Sequence, residues 1–194
     1  MYIWVVVPVK RLSESKVRLA SSLSPIQRRD LALKMLQHVL KTLKKLTGHV
    51  MVIGSDDEVK KASRDYNVPF VADKTDSLNR AVGQAIDRCV RKGSEAVLIV
   101  AADLPFLSSS DLEQLLETIE DESVTICPSK DCGTNALFLR PPEAIPTRFG
   151  SRSLLSHIQE AMRRGRKYRI YWSPGLSFDV DTPEDLRLLE PFSR

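Results

Sequence analysis

The chain contains 194 residues, of which 42% are hydrophobic and 28% charged, and its formal net charge is +4 at pH 7. This length suits one domain with a substantial core, and the composition is typical of a globular protein in water. No apolar run approaches the roughly 20 residues of a membrane-spanning helix, and we expect no signal peptide. Three scattered cysteines argue against a disulfide framework or a zinc site and favour the reducing cytoplasm.

Short apolar runs bounded by turn residues predict strands along the whole chain. The first, at residues 3–7, is rich in β-branched side chains and ends at Pro8. Further strands are predicted at residues 50–54, 68–73, 97–100, 123–129, 134–139, 168–172 and 176–180.

Helical periodicity and capping residues predict helices between these strands. Ser24, Pro25 and Gln27 predict the start of a helix that ends near Gly48. Further helices are predicted from about residue 56 and at residues 77–93, 108–120, 151–165 and 182–189. The inward face of the helix at 151–165 is predicted to carry Leu154, Leu155, Ile158 and Met162.

The alternation of strands and helices predicts the fold class. It favours a single α/β domain over residues 1–194, with a mostly parallel sheet and helices on both faces. In sheets of this kind, ligands bind beyond the carboxyl ends of the strands. Charged residues that directly follow a predicted strand are therefore candidates for a binding site.

A basic segment follows the first predicted strand. It contains Lys10, Arg11, Lys16 and Arg18. Because no glycine lies between residues 1 and 47, a glycine-rich phosphate loop is excluded there, and side-chain cations would have to hold a polyphosphate. The alternative is a solvated basic loop that binds no ligand.

Asp103 is a candidate because it follows the buried strand predicted at residues 97–100 and precedes Pro105. An aspartate before such a proline commonly serves in a turn. At the end of a strand it can equally serve as a magnesium ligand.

Two further acids lie near the end of the chain. Strand alternation at residues 176–180 predicts that Asp179 and Asp181 project to the same side. Helix capping by Thr182 and Asp185 accounts for part of this acidic cluster, but it does not explain Asp179. Two carboxylates about 4 Å apart repel by about 4 kcal/mol at an effective dielectric of about 20, and a divalent cation reverses that sign. The acids therefore predict a magnesium site.

Five segments resemble, in order, the motifs of the 2-phospho-L-lactate guanylyltransferase family: VVPVKRLSESKVRLASSLSPIQRRDLALKML, LIVAADLPFL, GTNALFLRPP, RFGSRSLLSH and LSFDVDTPEDL. The resemblance covers residues 3 to 190, nearly the whole chain. This family serves coenzyme F-420 biosynthesis and is similar to Rossmann-like nucleotidyltransferases of the GT-A type. The resemblance implies GMP transfer from GTP to 2-phospho-L-lactate, phosphoenolpyruvate or 3-phospho-D-glycerate, with release of pyrophosphate and Mg²⁺ as cofactor.

The resemblance also implies roles for the residues at matching positions. Those expected to bind the nucleotide are Pro8, Lys10, Lys16, Arg18, Asn79 and Asp103. Those expected to take part in catalysis are Lys10, Lys16 and Asp103. Those expected to hold magnesium are Asp103, Asp179 and Asp181. Those expected to bind the acceptor are Thr134, Gly150 and Ser153.

The acceptor site has a second argument, since a helix that begins at residues 151–153 offers free N–H groups and a positive dipole end to an anion. Alternatively, Ser151 or Ser153 simply caps that helix. Asn79 either contacts the base or ribose or is a satisfied amide at a helix start. The chain departs from the family at Val17, where a small hydroxyl residue is expected, and in the glycine-poor segment DCGTNAL.

Two other functions stay open on sequence grounds. One is nucleotidyl transfer to a sugar or pterin phosphate, although a glycine-rich loop after the first strand is absent. The other is RNA binding by the basic segment at residues 163–172, although Ile170 and Trp172 are expected to pack in a strand and the acids would be unexplained. We expect small-molecule substrates, no membrane or nucleic-acid partner, and a homodimer.

Overall fold

The computed structural model describes residues 1–75, 77–119 and 123–189, which form a seven-stranded sheet. The strands are β1 (Ile3–Pro8), β2 (Val50–Gly54), β3 (Phe70–Ala72), β4 (Ala96–Val100), β5 (Ser123–Pro128), β6 (Thr134–Leu139) and β7 (Lys167–Ile170). Their order is β3-β2-β1-β4-β6-β5-β7. Strand β6 runs antiparallel to both of its neighbours, and the other adjacent pairs are parallel. The prediction of a mostly parallel sheet is confirmed.

Seven α-helices connect and follow these strands within the described ranges. They are α1 (Pro25–Leu46), α2 (Asp57–Asp65), α3 (Leu78–Arg91), α4 (Ser109–Glu117), α5 (Ser153–Arg163), α6 (Pro174–Ser177) and α7 (Pro183–Leu189). The capping box predicted at Ser24 and Gln27 is confirmed. The predicted last residue of α4, 120, and the chain end at 190–194 lie outside the described residues. No helix that the structure describes is long and apolar enough to cross a bilayer.

The two faces of the sheet carry separate apolar cores. Val5 and Val7 of β1 point to one face, where they pack with buried side chains of α1, α2 and α4. Trp4 and Val6 point to the other face, toward α3 and α5. The central strands β1, β2 and β4 are therefore buried on both sides, which explains why their sequences are continuous apolar runs instead of alternating ones.

The strand order places the reversal point of the sheet between β1 and β4. The chain moves from β1 outward through β2 and β3, then returns to add β4 on the other side of β1. Because β6 is antiparallel, its first residues lie at the carboxyl end of β4, where Ala101 N donates to Asn135 O at 2.7 Å. The loops after β1 and β4 and the start of β6 therefore meet at one edge, where such sheets bind ligands.

The strand predicted at residues 176–180 is wrong, because this segment begins inside the short helix α6. The Ser173 hydroxyl caps that helix by accepting a hydrogen bond from Leu176 N at 3.3 Å, and Pro174 fits the first helical position. The chain then continues without strand pairing as far as α7. Strand alternation therefore does not explain why the two acids of this segment reach the same place.

The inward face predicted for α5 is wrong at two of its four positions. Leu155 and Met162 are 53% and 65% exposed. The buried positions of α5 are Ser153, His157, Glu160 and Ala161. Apolar periodicity predicted the wrong face because the side chains on the buried face are polar. Their hydrogen bonds to neighbouring groups allow them to lie in the interior.

Strand β7 lies at the edge of the described sheet, where β5 is its one partner strand among the described residues. Ile170 and Trp172, which were expected to pack, are 49% and 64% exposed. An edge position leaves such side chains without a strand on one side, so the packing prediction for this segment is wrong.

Candidate active site

A cavity of about 420 Å³ lies beyond the carboxyl ends of β1 and β4, at the reversal point of the sheet. We call it the site cavity. The predicted site residues that line it are Pro8, Lys10, Lys16, Arg18, Asp103, Thr134, Gly150, Ser153, Asp179 and Asp181. The structure thus brings together every predicted site residue except Asn79, although their individual roles stay predictions.

Lys16 binds two of the predicted acids. Its backbone adopts the left-handed conformation, with φ at 54°, and its side chain is 5% exposed. The ammonium group pairs with Asp103 and, at 2.9 Å, with Asp181 Oδ1. Burial lowers the pKa of Lys16, but attraction by the two carboxylates outweighs burial and leaves this pKa raised overall. The group therefore stays charged inside the protein.

Arg18 adds a second, exposed cation to the same acids. Its guanidinium Nη1 lies 3.8 Å from Asp181 Oδ2 and 4.0 Å from Asp131 Oδ2. Its side chain is 68% exposed, so solvent weakens these ion pairs and leaves the group able to meet an anionic ligand. Lys10 also lines the cavity, two residues after the end of β1.

Asp179 is a buried carboxylate with an open acceptor. It is 7% exposed, and its Oδ1 has no hydrogen-bond partner among the described residues. Burial, together with repulsion by Asp103 and Asp181, raises the pKa of Asp179 to about 6. Such a group is unfavourable in the folded protein unless a cation compensates it. The three acids therefore fit a divalent cation, although no three acidic, histidine or cysteine side chains in the described ranges already form a metal-ligand set.

The turn that carries Asp181 is fixed by Asp185. Thr182 N donates to Asp185 Oδ2 at 2.7 Å and Asp185 N to Thr182 Oγ1 at 3.4 Å, so the predicted capping interaction is confirmed. Asp185 also accepts from Asp181 N at 2.9 Å and pairs with Lys130. Burial alone would raise the pKa of Asp185, but these bonds, with that of Lys130 first, lower it to about 2. Asp185 thus accepts hydrogen bonds from backbone N–H groups, and the Asp181 side chain lines the cavity.

Two hydroxyl groups form the side of the cavity that is lined by β6 and α5. Ser153 Oγ donates to Thr134 Oγ1 at 3.1 Å. Behind them, His157 is fully buried, and its Nδ1 lies 3.1 Å from Thr134 Oγ1. Burial lowers the pKa of His157 to about 4, so this ring is neutral at pH 7.

The start of α5 differs from the prediction in its free N–H groups. The N-cap is Arg152, with φ at 54°, and neither Ser151 nor Ser153 caps the helix. The backbone N–H of Ser153 donates to Gly150 O at 3.2 Å, and that of Leu154 donates to Cys132 O at 3.2 Å. Gly150 has φ at 141°, a conformation that favours glycine. Hydroxyl groups, more than free backbone amides, therefore present donors to an anion here.

Asn79, at the start of α3, binds backbone instead of lining the site cavity. Its Nδ2 donates to Phe149 O at 2.9 Å, and its Oδ1 accepts from Phe149 N at 2.7 Å. This pair of bonds ties α3 to the loop that carries Gly150. Of the two roles predicted for Asn79, the satisfied amide at a helix start matches these contacts, and contact with the base or ribose stays a prediction.

Three residues of the site were missed by the sequence argument. Lys130 donates to Asp179 O at 2.9 Å, Asp131 lines the cavity near Arg18, and His157 lies behind Thr134. A signal was available for the first two, because a Lys-Asp pair directly follows the strand predicted at residues 123–129. No sequence signal marked the histidine, which lies within an ordinary helical pattern.

Comparison with known proteins places these features in a family. The family model described as "Guanylyl transferase CofC like" matches residues 3–190. A phosphoenolpyruvate guanylyltransferase of Sphaerobacter thermophilus is 37% identical over 187 residues, which cover 95% of this chain and 90% of that protein. A 2-phospho-L-lactate guanylyltransferase of Methanocaldococcus fervens is 36% identical over 183 residues, which cover 94% and 82%.

The fold has relatives among solved structures. A protein assigned as a nucleotide-diphospho-sugar transferase, from Desulfovibrio desulfuricans, superposes with a TM-score of 0.80 over 99% of this chain and 87% of that chain. The two are 18% identical, so this similarity concerns the fold alone. It confirms the predicted Rossmann-like fold of the GT-A type.

We predict that Asn79→Ala destabilises the protein by about 1–3 kcal/mol, because two backbone groups of Phe149 lose their partners. Chemical denaturation of the variant and the wild type measures this difference in the free energy of unfolding. A variant of unchanged stability that needs more nucleotide for half-maximal rate would instead support the role in contacting base or ribose.

Proposed function

Because the chain belongs to the family of CofC-like guanylyl transferases, we propose that it transfers GMP from GTP to a small phosphorylated carboxylic acid and releases pyrophosphate. The proposed acceptor is 2-phospho-L-lactate or phosphoenolpyruvate, the substrates named for its relatives, and the proposed role is in coenzyme F-420 biosynthesis. The observation that carries this proposal is the convergence of Asp103, Asp179 and Asp181 around Lys16 in one cavity.

A second cavity, of about 330 Å³, offers space for the base and ribose of GTP. It adjoins the site cavity, with which it shares Pro8 and Lys10, and it extends past the ends of β2 and β3 to the start of α3. Asp73 lies in it with Oδ1 held by the backbone N–H and the hydroxyl of Thr75, each at 2.8 Å. A carboxylate only accepts hydrogen bonds, which matches the adjacent N1–H and N2–H donors of guanine.

The three acids are the residues that would hold Mg²⁺. Asp179 contributes an open buried acceptor, and Asp103 and Asp181 contribute carboxylates that pair with Lys16. When bound, the ion supplies positive charge that polarises the α-phosphate of GTP. Few carboxylates together with phosphate oxygens are the ligand set that Mg²⁺ prefers, and this preference supports a metal bound together with the nucleotide.

The proposed reaction needs positioning and cations more than a general base. A phosphate oxygen of the acceptor forms a bond to the α-phosphorus of GTP, and the bond from that phosphorus to the pyrophosphate oxygen breaks. The acceptor phosphate is already ionised at pH 7, so no proton has to be removed. Lys10, Lys16 and Arg18 line the cavity, and their positive charges would stabilise the charge on the departing pyrophosphate.

The hydroxyl side of the cavity is the proposed acceptor site. Thr134 and Ser153 offer hydroxyl groups, and Gly150 leaves the backbone open, since no atom lies within 4 Å of the position a β-carbon would take. An acceptor held there would have its phosphate directed toward the acids and the nucleotide across the cavity. This arrangement is what in-line transfer between two anions requires.

The homodimer and the absence of a nucleic-acid partner stay predictions. Analytical ultracentrifugation measures the oligomeric state directly. RNA binding is the weaker alternative, supported by the exposure of Trp172 and Tyr168 beside basic residues. It does not account for the buried acids, and a steep dependence of RNA affinity on salt would be needed to favour it.

We predict that the purified protein releases pyrophosphate only with GTP, among the four common nucleoside triphosphates, and only when Mg²⁺ is present. The acceptors to compare are 2-phospho-L-lactate, phosphoenolpyruvate and 3-phospho-D-glycerate, with a sugar phosphate as control. Chelation of the metal is expected to stop turnover. Equal rates with CTP or with the sugar phosphate would contradict the proposed function.

We predict that Asp103→Asn lowers kcat by at least about a hundredfold, since loss of an electrostatic group at a reacting phosphate typically has an effect of this size. The matched control is Asp87→Asn, an exposed position on α3 away from both cavities, which is expected to keep the wild-type rate. Steady-state pyrophosphate release with thermal unfolding of each variant makes the measurement. A normal rate in the folded Asp103→Asn variant would remove Asp103 from the mechanism.

We predict that Lys16→Gln raises the KM for GTP about tenfold or more while changing the KM for the acceptor less, because a charged hydrogen bond to the nucleotide is lost. Lys41→Gln, at an exposed position of α1, is the control for loss of a positive charge. Initial rates over a grid of both substrate concentrations separate the two constants. An unchanged KM for GTP would contradict the predicted role of Lys16.

A further inference from the structure

His157 is a buried histidine that the proposed reaction does not use directly. Its side chain is fully buried and does not line the site cavity. Phe149 meets the ring edge-on, with centroids 5.1 Å apart. Both ring nitrogens are nevertheless bonded, one to a residue of the cavity wall and the other to backbone.

These two bonds fix the tautomer of the ring. The backbone N–H of Arg148 lies 2.9 Å from Nε2, and because an N–H group can only donate, Nε2 must carry a lone pair. A neutral imidazole has one N–H group, which must then be on Nδ1. Nδ1 therefore donates its hydrogen to Thr134 Oγ1, 3.1 Å away.

The direction of this bond decides what the two hydroxyl groups offer a ligand. Thr134 and Ser153 have two hydroxyl hydrogens, and the bond between their oxygens uses one of them, in whichever direction it runs. Because His157 donates, the other hydrogen stays available for the cavity. If Nδ1 instead accepted from Thr134, both hydrogens would be used and only lone pairs would face an anion.

We propose that His157 is a positioning residue whose Nδ1–H tautomer, set by the Arg148 backbone, makes the Thr134–Ser153 pair a hydrogen-bond donor to an anionic oxygen of the acceptor. This inference rests on the proposed function, since it assigns the acceptor's anionic group to that pair. His157 acts through Thr134 and touches no substrate. With this tautomer, the acceptor site favours an anionic group over a neutral hydrogen-bond donor of similar size.

Two amide variants separate this role from simple packing. In His157→Asn the side-chain amide reaches the position of Nδ1, so it can donate to Thr134 but cannot reach Arg148 N. In His157→Gln the amide reaches the position of Nε2, so it can accept from Arg148 N but cannot donate to Thr134. The control is His38, whose Nε2 lies 2.8 Å from Leu107 O and which lines neither cavity; His38→Asn and His38→Gln are made in parallel.

We predict that His157→Gln raises the KM for the acceptor about tenfold, because Thr134 no longer accepts from Nδ1 and its hydroxyl hydrogen, although still present, is no longer held toward the cavity. His157→Asn is expected to stay within about threefold of the wild type, and the KM for GTP and kcat stay near wild type in both. The free energy of unfolding is expected to be larger for His157→Gln than for His157→Asn, since only the glutamine keeps the Arg148 N–H group paired. The His38 variants are expected to leave both KM values unchanged.

The proposal would be overturned if the KM for the acceptor rose more in the less stable variant, His157→Asn, or rose equally in both variants. Imidazole ¹⁵N resonances of the free protein give a readout that needs no turnover: His157 must show a protonated Nδ1 and an unprotonated Nε2, and the reverse pattern would also overturn it. If the wild type turns over none of the acceptors while the resonances show Nδ1–H, the proposed function fails and the tautomer assignment stands.

Discussion

The Lys16 ammonium group, only 5% exposed, lies between carboxylates that are 87 and 165 residues away along the chain. A charge buried this deeply is stable only if opposite charges accompany it, so the first loop, the end of β4 and the turn before α7 must meet. Asp179 adds a third carboxylate, whose Oδ1 has no hydrogen-bond partner among the described residues. The excess of negative charge beside one lysine is the constraint from which the proposed metal, nucleotide and reaction all follow.

The sheet brings these groups together through its strand order. Because β4 pairs with β1 in parallel, the loops after both strands leave from the same edge, and the antiparallel β6 begins at that edge too. Cations from the first loop, acids from the second and the hydroxyl of Thr134 therefore line one cavity. The two apolar cores on the faces of the sheet support this edge, which suits a reaction that depends on positioning two anions.

The parts of the site that directly follow buried strands could be predicted from the sequence alone. The apolar runs and their abrupt ends located Asp103 and the basic loop, since a charge after a buried strand must lie at an edge of the sheet. Asp179 and Asp181 were found for a wrong reason, because Ser173 and Pro174 start a helical turn where alternation suggested a strand. The buried polar face of α5 could not be predicted, because its partners come from other elements and only the folded chain brings them together.

We propose that Asp179 is kept as an unfavourable buried charge because a bound cation compensates it. Calorimetric unfolding of the wild type and of Asp179→Asn at pH 7.5, each with and without Mg²⁺ and a non-hydrolysable GTP analogue, tests it most directly. We predict that the variant alone is more stable than the wild type, on the order of 1–3 kcal/mol, and that it loses the stabilisation by Mg²⁺ with nucleotide. A variant that is less stable alone, or that is stabilised by Mg²⁺ and nucleotide as much as the wild type, would contradict it.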